Sequence, residues 1–101
     1  MNAKQIVVDA LWMTVKSDPN LDHIKRGDDQ AAVSALDSMG HVDWMIFMDD
    51  AIKAEFGSQA HLDGLEIQRW GAENKARPFG SVEAMTMYVE HFLEGLSDGS
   101  E

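Results

Sequence analysis

The sequence predicts an all-α protein, and three observations carry that prediction. Apolar residues recur at steps of three and four instead of at alternate positions. Only two prolines interrupt the 101 residues, which leaves room for long helices. The periodic stretches also begin and end with residues suited to helix termini: Asp37-Ser38 and Ser81 at starts, Gly57 at a stop. The expected architecture is a four-helix bundle with a long loop between the first and second helices and a short third helix. One domain is expected over residues 3–96, with a flexible tail over residues 97–101.

The first helix is placed at Ala3 to Lys16, where Ile6, Val7, Ala10, Leu11, Thr14 and Val15 form one stripe. Ser17-Asp18-Pro19-Asn20 stops it, because Pro19 restricts the residue before it and cannot continue the ladder. A polar connection runs from Ser17 to Leu36. Leu21, Ile24, Val33 and Leu36 are its candidates for tacking onto the core, and Ala31 to Ala35 is its candidate turn of helix. The second helix runs from Asp37-Ser38 to Phe56. The third is placed near Leu62 to Trp70, followed by a loop from Gly71 to Gly80. The last runs from Ser81 to Leu96 and buries Val82, Met85, Tyr88, Val89, Phe92 and Leu93.

Charge excludes several functions. Eight Lys and Arg stand against 18 Asp and Glu, a net charge of −10. Phosphate backbones and anionic membrane surfaces would be repelled, so no nucleic-acid partner is expected. No apolar run is long enough to span a bilayer, so no stable membrane insertion is expected either. The complement of such a surface is a basic patch on a protein partner, reached through electrostatic steering. Cysteine is absent, which removes disulfides and thiolate chemistry and fits a cytoplasmic setting.

The second helix holds the most informative residues. At about 100° per residue, Trp44, Met45, Met48, Ala51, Ile52 and Phe56 share one broad face, the expected core face. Met39, Val42 and Ile46 fall on the other side, among Asp43, Asp49, Asp50 and Lys53. Apolar anchors set among charges are the pattern of a docking surface. Burial of this helix on both sides, or against a second copy, would produce the same stripe without docking. Ser38 opens the helix. A serine there is usually an N-cap, and no Gly-x-Ser-x-Gly elbow surrounds it. A helix start nevertheless suits a covalently attached phosphodiester, because its free N–H groups and dipole favour an anion.

The run Leu36-Asp37-Ser38-Met39, the acids downstream of Val42-Asp43, and Ser81-Val82-Glu83 leading to Tyr88-Val89 resemble an acyl or peptidyl carrier protein over nearly the whole chain. Asp-Ser-Met-Gly is similar to the motif of D-alanyl carrier proteins. The resemblance implies an acyl-carrier-protein-like bundle and a carrier instead of an enzyme, with no catalytic residue and no metal site. It implies 4′-phosphopantetheine, taken from coenzyme A, on Ser38 beside Asp37. It also implies that Met39, Val42, Asp43, Ile46, Asp49 and Asp50 meet partner enzymes. Those partners are a phosphopantetheinyl transferase, an acyl- or aminoacyl-loading ligase, and acyltransferases or synthases with basic patches. The carrier would act as a monomer and deliver a thioester in lipid or secondary-metabolite biosynthesis. Gly40, the long second helix and the long Ser58–Gly80 stretch depart from fatty-acid carriers and leave the cargo open.

Other signals are weaker. Asp18, Asn20 and Asp22 have the opening spacing of a calcium loop, but His23 stands where glycine belongs and Asp29 where glutamate belongs. His23, His41, His61 and His91 lack zinc spacing. His41 lies one turn from Ser38 and would serve a hydrolase as base, but no oxyanion hole accompanies it. The remaining alternative is an unmodified acidic adaptor with the same fold.

Overall fold

α1 spans Ala3–Ser17 and is capped by Asn2, whose side-chain oxygen accepts from the Gln5 N–H at 2.8 Å. All six residues of its expected stripe are buried, and Trp12 joins them. The structure, a computed structural model, describes residues 2–57 and 60–99, with side chains to residue 96. Every regular element among the described residues is helical.

Among the described residues five α-helices form where four were expected. After a 3₁₀ turn at Pro19–Leu21, α2 occupies Asp29–Ala35, a full helix instead of a single turn. Asp28 caps it through the Ala31 N–H. Ala32 and Val33 enter the core. Two contacts clamp α2 and its leading loop onto α1: the Trp12 indole donates to Asp29 at 2.7 Å, and the Arg26 guanidinium lies 5.4 Å from the Trp12 ring centroid. The Asp18–Asp29 loop therefore spends its carboxylates separately: Asp18 accepts from Asn20, Asp28 caps α2 and Asp29 holds Trp12.

α3 runs over Ser38–Phe56, and Gly57 ends it with a φ of 105°, a conformation that favours glycine. Trp44, Met48 and Ile52 are fully buried. Met45 and Ala51 sit at the core margin. Phe56, expected on the core face, is 48% exposed. The Trp44 indole donates to the Val7 carbonyl at 3.0 Å, so this buried donor is satisfied and ties α3 to α1.

α4 spans Gly64–Asn74, later and longer than the expected Leu62–Trp70. Leu62 is buried, but as part of the loop, and Asp63 is the cap. Gly71 does not stop the helix. A Cβ there would lie 2.8 Å from both the Ala76 carbonyl and the Pro78 ring, so the glycine lets the following loop pack closely. A 3₁₀ turn at Pro78–Gly80 leads to α5, Val82–Gly99, whose Ser81 Oγ accepts from the Ala84 N–H at 3.0 Å as expected of an N-cap. The α5 backbone stays helical through residues 97–99, where a tail was expected, while Ser100 and Glu101 lie outside the described residues. α1 packs against both α3 and α5 and joins them in one core.

Candidate functional site

The start of α3 divides two jobs between neighbouring residues. Asp37 is the N-cap: its backbone is extended and its carboxylate accepts from the Gly40 N–H at 2.8 Å. Ser38 is thereby released from capping. Its side chain is exposed and makes no hydrogen bond among the described residues. The N–H groups of the first turn that Asp37 does not reach have no helical acceptor and face outward with the positive end of the helix dipole. Gly40 has a packing reason, since a Cβ there would lie 2.9 Å from Leu36 Cδ2.

His41 is turned away from chemistry on Ser38. Its ring stacks on Phe79 at 5.1 Å with 29° between the planes, and no hydrogen bond joins it to Ser38. Burial lowers its pKa, against the opposing pull of Asp37. Its stacking partner also edges Trp44 at 6.3 Å. His41, Gln68, Pro78 and Phe79 line a shallow, mainly apolar hollow of about 410 Å³ beside the first turn of α3.

The second stripe of α3 is open. Met39 is 68% exposed, Val42 45% and Ile46 46%. They follow one another at three- and four-residue steps along the side of α3 that begins at Ser38. Asp43 is half-buried beside them and Asp50 is exposed.

Asp49 does not belong to this rim. It is buried, accepts the Leu62 N–H at 2.8 Å and the Lys53 ammonium at 2.8 Å, and has His61 at 3.6 Å. It anchors the α3–α4 loop, where Ala60 and Leu62 enter the core. Burial by itself raises its pKa. The hydrogen bonds from Lys53 and Leu62, with the charges of Lys53 and His61, outweigh burial and hold the carboxyl below its usual value. Spacing alone does not decide its side: Asp49 lies four residues after Met45 and three before Ile52, but also three after Ile46, so it borders both stripes.

Comparison with protein-family models, with curated proteins and with solved structures finds no match to this chain. Its geometry therefore has to carry the functional reading. Among the described residues, no three His, Asp or Glu side chains converge as a metal-binding group, and no helix is long and apolar enough to cross a membrane.

Proposed function

We propose that the protein is an acyl or aminoacyl carrier that holds its cargo on 4′-phosphopantetheine attached to Ser38. The observation that carries this reading is the combination at the start of α3. A serine hydroxyl freed from capping by Asp37 leads directly into the exposed Met39, Val42 and Ile46. A carrier needs both features on one side of one helix, because each enzyme must grip the domain while reaching its tethered group.

The residues fit the group chemically. The open first-turn N–H groups suit a phosphodiester anion, and Ser38 Oγ is accessible to a transferase. In loading, Ser38 Oγ would form a bond to the coenzyme A phosphorus that carries the pantetheine arm. The pyrophosphate linkage breaks, adenosine 3′,5′-bisphosphate leaves, and the serine proton passes to a base of the transferase. The arm's terminal thiol supplies the thioester to the cargo. Met39, Val42 and Ile46 provide buried contact with a partner, while Asp43, Asp50 and the net charge of −10 attract its basic rim. Tethering raises the cargo's effective concentration at the partner site. Partners of this reading are a phosphopantetheinyl transferase, a loading ligase and acyltransferases or synthases, acting on a monomeric cytoplasmic carrier.

The test is intact mass after incubation with coenzyme A and a broad-specificity phosphopantetheinyl transferase. One added phosphopantetheine is expected, and none on Ser38→Ala. That variant should keep its helical circular dichroism and lie within about 0.5 kcal/mol of wild type in stability, as for an exposed substitution outside a cap. No mass gain with several transferases refutes the carrier and leaves the exposed stripe as the surface of an unmodified adaptor.

A further inference from the structure

A second site is built between α4 and α5, with no residue of α3 in its walls. Trp70 from α4 meets Tyr88, His91 and Phe92 from α5 around a hollow of about 360 Å³. This volume lies within the range of roughly 300–1,000 Å³ common to small-molecule sites. Trp70 and Tyr88 stand edge to face at 5.6 Å. The Trp70–His91 and Tyr88–His91 centroids are 6.2 Å and 6.4 Å apart. These three centroids form a near-equilateral triangle. Tyr88 is buried, so a cation seated over the exposed His91 and the half-buried Trp70 meets those two rings within the reach of about 6 Å at which it is attracted to them.

Carboxylates occupy the lip. Glu66 and Glu73 lie one turn on either side of Trp70 and line the hollow, and neither is in an ion pair among the described residues. Arg69 also lines it and offsets part of their charge. The balance stays negative, because Asp63 lies near enough to act on Tyr88 as well. Burial first, then the Glu66 and Asp63 charges, push the Tyr88 pKa up to about 12. The Trp70 indole N–H has no protein acceptor among the described residues, whereas the other two tryptophans donate internally, Trp12 to Asp29 and Trp44 to Val7.

We propose that this hollow binds a small organic cation with a methylated ammonium head group. Anions are repelled by the lip and by the net charge of −10. A primary ammonium would give up part of its water shell on entering a hollow lined by aromatic rings beside its carboxylates, which is costly. A fully methylated, quaternary ammonium has no N–H and so no such hydrogen bonds to lose, gains the ring quadrupoles, and still feels the two carboxylates. Neutral apolar molecules of the same shape gain only the packing.

The experiment is a titration of the ¹⁵N-labelled protein with tetramethylammonium chloride, choline chloride, and 3,3-dimethyl-1-butanol, the neutral carbon isostere of choline, followed by the indole N–H signals. Saturable displacement of the Trp70 signal is expected with both cations, with Trp12 and Trp44 unmoved and the isostere at least about tenfold weaker. Glu66→Gln combined with Glu73→Gln, both exposed and outside the core, should weaken choline about fivefold without altering the other two indole signals. Equal binding of choline and its isostere, unsaturated displacement at tens of millimolar, or unchanged affinity of the double variant would each overturn the proposal. None of these readouts depends on modification of Ser38.

Discussion

Asp49→Ala is the perturbation whose size follows most directly from the structure. The substitution removes the acceptor of the buried Leu62 N–H and the partner of Lys53. The two losses are unequal. Lys53 is one-third exposed, and the pair has helix i,i+4 spacing, so its attraction is worth only about 0.3–0.5 kcal/mol. An unsatisfied buried N–H costs about 1–3 kcal/mol, so the Leu62 bond dominates. Relief from burying a carboxylate returns part of this. The expected net destabilisation is about 2 kcal/mol, or roughly 8–16 °C in Tm for a domain of this size. Asp49→Asn keeps an acceptor for Leu62 and should lose less than half as much. Urea melts followed by circular dichroism give the numbers. The folded carboxyl titrates below its usual 3.8, so its contribution is complete well above that pH and is lost as pH falls through the folded value. Both variants should therefore show a flatter fall in stability below about pH 4 than wild type. An Asp49→Ala protein within 0.5 kcal/mol of wild type would refute the anchoring role.

Three further outcomes are expected. Gly71→Ala places a Cβ against the Ala76 carbonyl and the Pro78 ring, and should cost about 1–3 kcal/mol in denaturant melts despite the better helix propensity of alanine. His41 is held below its usual 6.5 mainly by burial, so its contribution favours folding above that pH and is lost as pH falls through the folded value. His41→Gln should lose less stability than wild type between about pH 6.5 and pH 5, measured by melts at stepped pH. Ile46→Asp should leave the fold within about 0.5 kcal/mol of wild type while abolishing pull-down by any partner that uses the exposed stripe, and global unfolding would show Ile46 to be core.

Much of the helical plan was legible in residue order. The α1 stripe needed only a period of 3.6, and the Ser81 and Gly57 termini needed only local capping chemistry. The errors share a cause. Leu62 looked like the first residue of a helix because it is apolar, yet its burial is satisfied from a loop held by Asp49. Gly71 looked like the start of a loop, yet it lies inside α4 and serves the close approach of a segment five to seven residues away. α2 looked like a turn because seven residues carry little periodicity, and its stability comes from contacts such as Trp12–Asp29.

The candidate site divides in the same way. Residue order alone determined that Ser38 opens an acidic helix and that Met39, Val42 and Ile46 lie off the core face, because helix periodicity is a local property. It also determined the net charge of −10. Only the tertiary structure decided that Asp37 takes the cap and frees Ser38, that Asp49 turns inward, and that His41 rests on Phe79 instead of serving Ser38. It alone brought Trp70 and Tyr88 together from different helices. The physical reason is that a polar side chain goes wherever a partner or water satisfies it, and in a folded chain that partner is chosen by packing between segments distant in sequence.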